Sequence, residues 1–228
     1  MGWFGGIISG IGSAIGGAIS AVGSMVSSIG GALASTAKMA LNVAGSWFTP
    51  MINIITQIGK MLGILEEKDD PEDLGRRAEL SDKKPDDFDS IQEYIQHLKN
   101  DIQIDREKMA AESDDKKMAY KAVGATITMK GINEHKGFEI PLEAWVSFAK
   151  LGLENKEKEV NALLDSFKGD KIDDFVGYVE GNLEPDKELE VGDQLVETYK
   201  SLEPGLSEAE IEKKVMELEL PSELKPGI

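Results

Sequence analysis

The stretch that decides the fold is residues 5–33, GGIISGIGSAIGGAISAVGSMVSSIGGAL, which contains no charged side chain. Its large apolar side chains recur at steps of three and four residues, the spacing that places them on one face of an α-helix. We expect this face to insert into lipid or to lie against an equally apolar shelter. Its members are Ile8, Ile11, Ile15, Ile19, Val22, Val26, Ile29 and Leu33.

Small residues occupy the other faces of the same stretch, again at helical spacing. One ladder of Gly and Ala begins at Gly2, and a ladder of Gly and Ser begins at Gly12. Such ladders let helix backbones approach closely, which membrane-embedded helices use in place of a hydrophobic driving force. Because glycine weakens a helix by about 1 kcal/mol relative to alanine, this helix needs a bilayer, a partner surface or self-association. The glycines that we expect to pack helix on helix are Gly2, Gly6, Gly10, Gly12 and Gly16.

Charge divides the chain sharply. Among 228 residues, 42 acids and 25 bases give a net charge of −17, yet Lys38 and Lys60 are the only charged residues before Glu66. A chain this acidic lacks the Lys and Arg that nucleic-acid phosphates require, so we expect no nucleic-acid partner. The pattern predicts an apolar helical segment at 1–65, a charged linker at 66–85 and an acidic helical domain at 86–228.

Two breaks divide the apolar segment, at Gly30–Gly31 and at Thr49–Pro50, and predict two or three helices arranged as a hairpin. Aromatic residues bracket the segment and suit a membrane–water interface. A helix lying flat on the interface and a close-packed hairpin inside a protein core or a large assembly are the alternatives. The aromatic residues that we expect to anchor the segment are Trp3, Phe4, Trp47 and Phe48.

The acidic segment has helical spacing along most of its length. Helices are predicted over 88–111 and 116–123, and the β-branched residues at 125–129 leave a short strand or extended loop open there. Later helices are predicted after Pro141 and Asp170, and at 154–167, 189–202 and 208–218. The whole chain is therefore predicted to be all-α, a Gly-rich apolar N-terminal helical hairpin joined to a small acidic helical domain.

The sequence carries no recognisable catalytic or metal-binding motif. It has no cysteine and two histidines, His97 and His135, and the acids between Asp165 and Asp174 lack the order of a calcium-binding loop. We therefore expect no enzyme activity, no catalytic residue, no metal and no cofactor.

In overall design residues 1–65 resemble glycine-zipper pore-forming effectors delivered between bacteria, such as those of type VI secretion systems. The resemblance rests mainly on Gly2, Gly6 and Gly10 and on Gly12 and Gly16, and covers about a quarter of the chain. It implies secretion without a classical signal peptide, homo-oligomerisation in the lipid of a target membrane, and ion leakage. It also implies an immunity protein or a secretion-tube carrier as a partner.

A second design fits the same composition. Phage and viral particles carry minor proteins whose Gly- and Ala-rich N-terminus is held in the assembly and released to breach a membrane. On this alternative the protein is a virion component, either for ejection or for membrane penetration.

Overall fold

A computed structural model describes residues 4–220, with side-chain surroundings from Ala14 onward, and over that range the chain is all-α. The predicted fold class is therefore confirmed. Packing divides the chain into two compact units, Met1–Gly137 and Phe138–Ile228.

Four helices form the N-terminal part of the first unit. The predicted break at Gly30 is present, because this residue has φ of +84°, a backbone conformation that favours glycine. The predicted break at Thr49–Pro50 is wrong: a 3₁₀ turn at Gly45–Trp47 separates the third and fourth helices. Pro50 lies in the first turn of the fourth helix, where a missing N–H costs nothing. The helices are α1 (Phe4–Ser24), α2 (Val26–Ile29), α3 (Gly31–Ala44) and α4 (Phe48–Met61).

Four more helices complete the first unit, and each begins at a residue whose side chain accepts a hydrogen bond from the first turn. They are α5 (Pro71–Leu80), α6 (Ile91–Asp101), α7 (Arg106–Ala110) and α8 (Asp114–Lys136). The linker predicted at 66–85 is therefore wrong where α5 lies. Leu74 and Ala78 of α5 are buried, since this charged helix is amphipathic and packs on α8.

The strand or extended loop left open at 125–129 is also wrong, because these residues lie within α8. Burial explains the difference: every residue from Ala122 to Met129 is buried, so tertiary packing decides the conformation against β-branched propensity. Thr126 and Thr128 donate their hydroxyl hydrogens to Ala122 O and Gly124 O, at 2.8 and 2.9 Å.

The structural division differs from the one predicted from charge. The first unit unites the apolar segment with the first part of the acidic one, and the boundary follows Gly137 instead of spanning 66–85. The physical reason is that charge marks the outer faces of helices, whereas packing depends on their apolar inner faces, which are present on both sides of Glu66.

Over residues 138–220 the second unit has five helices around a core that contains several aromatic rings. Phe148 lies 6.0 Å from Trp145 and 5.4 Å from Phe175, measured between ring centroids. The capping box predicted at the start of the last helix is present, since Ser207 N donates to Glu210 Oε2 at 2.8 Å. The helices are α9 (Leu142–Lys150), α10 (Glu157–Ser166), α11 (Lys171–Glu180), α12 (Pro185–Leu202) and α13 (Glu208–Met216).

Candidate functional site

The centre of the first unit is α8, a helix that is apolar around much of its circumference. Helices α1, α3, α4, α5 and α6 all pack on it. A helix surrounded along most of its length must match its neighbours in shape, because little of its surface faces solvent where a misfit could be absorbed. The contacts around α8 therefore show how the N-terminal helices are held.

Glycines provide the closest of these contacts. A methyl group on Gly75 of α5 would overlap the carbonyl oxygen of Tyr120 and lie 2.7 Å from its carbonyl carbon. Reciprocally, a methyl group on Gly124 of α8 would overlap the carbonyl oxygen of Pro71. Because these neighbours are backbone atoms, no rotation of a side chain relieves the overlap. The two helices thus meet backbone to backbone.

Three further glycines admit side chains from the opposite helix or loop. Gly59 of α4 faces the Thr128 methyl, and Gly131 of α8 faces Ile64. Gly17 of α1 accommodates the carboxylate of Asp115, which lies in the first turn of α8. Sequence spacing alone did not reveal these five packing glycines, because their partners are distant in the chain.

The glycines predicted from spacing to pack helix on helix differ from the five packing glycines that the structure shows. Gly16 has open space where a side chain would lie, so among the described residues no other helix packs against it. Gly6, Gly10 and Gly12 lie on α1 at positions whose surroundings are outside the described part of the structure. Gly2 also lies outside the described residues.

Half of the described residues of the predicted membrane-inserting face are buried in the protein. Val22, Ile29 and Leu33 are buried, whereas Ile15 and Ile19 are half-buried. Val26 is 36% exposed. The side chains of Ile8 and Ile11 lie outside the described residues. An apolar protein surface therefore shelters most of the described part of this face, and its insertion into lipid stays a prediction.

The predicted aromatic anchors differ in their surroundings. Phe48 is buried and Trp47 is half-buried, each at the junction between α3 and α4. Phe4 begins α1 with a side chain outside the described part, and Trp3 precedes the described residues. The role of these aromatic residues at a membrane interface stays a prediction.

The exposed residues of α1 to α4 carry no charge, whereas Lys38 and Lys60 are half-buried. Fourteen residues between Ala14 and Met61 are exposed, and none of them is charged. Large apolar side chains stand among them, with Met39 48% and Val43 45% exposed. We call this set the neutral face: Gly16, Ser20, Ser24, Val26, Ser27, Gly31, Ala32, Ser35, Met39, Asn42, Val43, Ser46, Thr49 and Met61.

Besides their close backbone contact, helices α5 and α8 are joined by an ionic network around Tyr120. The Tyr120 hydroxyl donates to Glu79 at 3.0 Å and accepts from Arg76 at 2.8 Å, and Lys116 pairs with Glu112 at 3.0 Å. Burial raises the pKa of Tyr120 to about 12 against the opposing hydrogen bond from Lys116.

A second ionic group anchors the chain between α4 and α5. The ammonium of Lys99 lies 2.6 Å from Glu66 and 2.8 Å from Asp69. Burial opposes the charge of Lys99, but the hydrogen bonds to Asp69 and Glu66 outweigh it and raise its pKa. The two lysines of the apolar segment contrast with this: in the described structure neither Lys38 nor Lys60 forms an ion pair with a carboxylate.

His97 takes part in a hydrogen-bonded chain that sequence reasoning did not foresee. Its Nδ1 lies 2.7 Å from Asp101, and its Nε2 lies 3.3 Å from the Ser81 hydroxyl. Ser81 is buried, and its oxygen both donates to Lys83 O and accepts from Lys83 N. These bonds commit the hydroxyl to the turn after α5, so the group fixes a loop and does not present a nucleophile.

Among residues 4–220, no cluster of three or more His, Cys, Asp or Glu side chains has the geometry to hold a metal ion.

In the described part of the chain, none of the helices combines the length and the apolar character needed to cross a bilayer.

Comparison with known proteins finds no match for the chain among protein-family models, curated proteins or solved structures.

Proposed function

We propose that this protein acts at a membrane, and that α1 to α4 leave α8 and enter the lipid. The neutral face is the observation that carries the proposal. A water-exposed protein surface ordinarily has about a quarter to a third charged residues, whereas the fourteen exposed residues of this face have none. When these helices leave water, Lys38 and Lys60, which are half-buried, are the only charged side chains of the described part of α1 to α4 to be accommodated.

Four hydroxyl groups of these helices also suit a lipid environment. Ser20 donates to Gly16 O at 3.1 Å, and Ser24 donates to Ala21 O at 2.6 Å. Thr36 and Thr56 make the same type of bond to the preceding turn of their own helices. Because an unsatisfied donor costs several kcal/mol in a bilayer, internal satisfaction lets these groups leave water without that cost.

The buried apolar side chains of these helices also do not oppose their transfer from α8 to lipid. Val22, Ile29 and Leu33 exchange one apolar environment for another when they move from the protein core to lipid. No ion pair of Lys38 or Lys60 within the described structure has to break. The contacts that hold α5 to α8, by contrast, include the ionic network around Tyr120, so α5 and α8 stay together when α1 to α4 leave.

The finer part of the proposal concerns what happens in the membrane. Several copies assemble there through the small residues exposed on α1, such as Gly16 and Ser20, and the assembly leaks ions. This is the activity of a pore-forming toxin or effector, in which the target membrane and further copies of the chain are the partners. An immunity protein or secretion-tube carrier would restrain it before delivery. No catalytic step is required.

Vesicle experiments test both parts separately. Flotation with phosphatidylcholine vesicles measures binding, and release of a trapped ion measures leakage. Ser20→Leu enlarges an exposed position that is proposed to pack in the assembly, so it should reduce leakage more than binding. Met39→Leu is the matched control, because it exchanges one exposed apolar side chain for another.

Three outcomes decide between the alternatives. Binding with leakage supports the proposal, and binding without leakage overturns its finer part. Absence of binding overturns it entirely and favours the virion alternative, in which the neutral face packs inside an assembly.

A further inference from the structure

A cleft of about 230 Å³ lies between α4 and α5, at the edge of the apolar helices. Its apolar part is formed by Phe48, Ile52 and Pro71, and its cationic part by Lys60 and Lys121. The volume is smaller than the roughly 300–1,000 Å³ of pockets for drug-sized ligands. It therefore suits a headgroup or a small ion instead of a whole lipid.

The two acids that also line the cleft are engaged elsewhere. Asp70 caps α5 by accepting from Glu72 N at 2.7 Å. Asp69 accepts from Glu66 N at 2.7 Å and pairs with Lys99 at 2.8 Å. Each carboxylate thus has its own donors, and neither is paired with a lysine of the cleft.

The two lysines are less fully neutralised. Lys60 donates to the carbonyl oxygen of Glu67 at 2.7 Å and has no carboxylate partner in the described structure. Lys121 lies 3.4 Å from Glu72, with 47% of its side chain exposed. In a chain with 42 acids, an ammonium paired with a carbonyl alone leaves room for an added anion.

We propose that this cleft binds the phosphate of an anionic phospholipid headgroup, with Lys60 and Lys121 as the cationic contacts. The first carbons of the lipid then lie against Phe48 and Ile52. Because Lys60 belongs to α4 and Lys121 to α8, the headgroup binds while α4 still packs on α8, before α1 to α4 enter the lipid. The inference rests on the proposed membrane function and adds the lipid class. A lipid phosphate and a free phosphate share this chemistry, so the test includes both.

The net negative charge of the chain makes a preference for anionic vesicles a specific sign of this site. A chain with a net charge of −17 is repelled by an anionic surface. Preference for anionic vesicles therefore requires a local cationic site, because general electrostatic attraction works in the opposite direction.

The first experiment compares flotation with phosphatidylcholine vesicles and with vesicles that also contain phosphatidylglycerol. The intact chain should prefer the anionic vesicles. A lysine near an anionic surface contributes roughly a five-fold change in binding, so Lys60→Gln should remove about that factor from the preference. Lys60→Arg keeps the charge and should retain it. Lys213→Gln is the matched control, since this exposed lysine lies on α13 of the other unit.

The second experiment needs no membrane. Dihexanoyl phosphatidylglycerol, dihexanoyl phosphatidylcholine and inorganic phosphate are titrated into the intact chain, and binding is followed by NMR. Binding of the anionic lipid that Lys60→Gln weakens supports the proposal. Equal binding of both lipids, or binding of inorganic phosphate alone, overturns it.

The two experiments separate this inference from the proposed function. If the chain floats equally with both types of vesicle and Lys60→Gln changes nothing, the headgroup site is wrong and the membrane function stands. If the chain floats with no vesicle, the membrane function is wrong, and the short-chain lipids still decide whether the cleft binds a phosphate.

Discussion

Replacing Gly75 by alanine tests the packing of α5 on α8. In the exposed interior of a helix, alanine is more stable than glycine by about 1 kcal/mol. At Gly75 the added methyl group overlaps the Tyr120 carbonyl, with 2.7 Å to its carbon and 2.8 Å to its Cα. Overpacking a core costs about 1–3 kcal/mol of stability. The cost here is about 3 kcal/mol, because the overlapping Tyr120 atoms belong to the backbone and cannot rotate away. The net loss of stability is therefore about 2 kcal/mol.

The matched control is Gly16→Ala, because Gly16 also lies in a helix but has no atom within 4 Å of the added methyl group. This variant should gain about 1 kcal/mol. The two variants then differ by about 3 kcal/mol, which corresponds to roughly 6–12 °C in melting temperature for a chain of this size. Thermal unfolding followed by far-UV circular dichroism measures the difference. A Gly75→Ala variant that melts as high as Gly16→Ala would refute the backbone-to-backbone contact.

Three other predictions address burial. Burial raises the pKa of Tyr94, Tyr120, Tyr178 and Tyr199, to about 12 for Tyr120, so the native state retains protons that the unfolded chain loses near pH 10. Stability should therefore fall as pH rises through 10–12, and tyrosinate absorbance of the folded protein should appear at higher pH than that of the unfolded chain. The Ser147 hydroxyl is buried without a hydrogen-bond partner among the described residues. Ser147→Ala should therefore raise the free energy of unfolding, measured by urea denaturation, by about 1 kcal/mol. Ser166→Ala breaks a 2.7 Å bond to Thr198 and should lower it. Val22→Asp should unfold the first unit in water because Val22 is fully buried. Ser20→Asp should fold normally but lose about 2.5–3.5 kcal/mol of membrane-partitioning free energy. Equal melting temperatures of the two variants by circular dichroism would contradict this.

Local signals in the sequence predicted much of the secondary structure, because they act over a few residues. The three- and four-residue spacing before Leu33 predicted helix, and Gly30 predicted a break that the structure contains. The structure differs where distant contacts decide. Residues 125–129 have strand-like composition, but burial on α8 makes them helical.

The packing glycines illustrate the same limit at the candidate site. Spacing singled out Gly16, which has open space around it, and missed Gly75 and Gly124, whose importance depends on which two helices meet. No periodicity within α5 or α8 encodes that encounter. Charge likewise suggested a boundary near Glu66, but it did not show that the apolar helices pack on α8 of the acidic part of the chain within one unit.

The central claim is that α1 leaves α8 before the protein acts on a membrane. The chain has no cysteine, and the Gly17 and Asp115 positions face each other across the two helices, so the double variant Gly17→Cys, Asp115→Cys allows one engineered disulfide between them. Ion release from vesicles is measured for the oxidised and the reduced protein, with the unaltered chain under both conditions as control. The account predicts no release from the oxidised form and recovery on adding reductant. Equal release from the oxidised and reduced forms would contradict it.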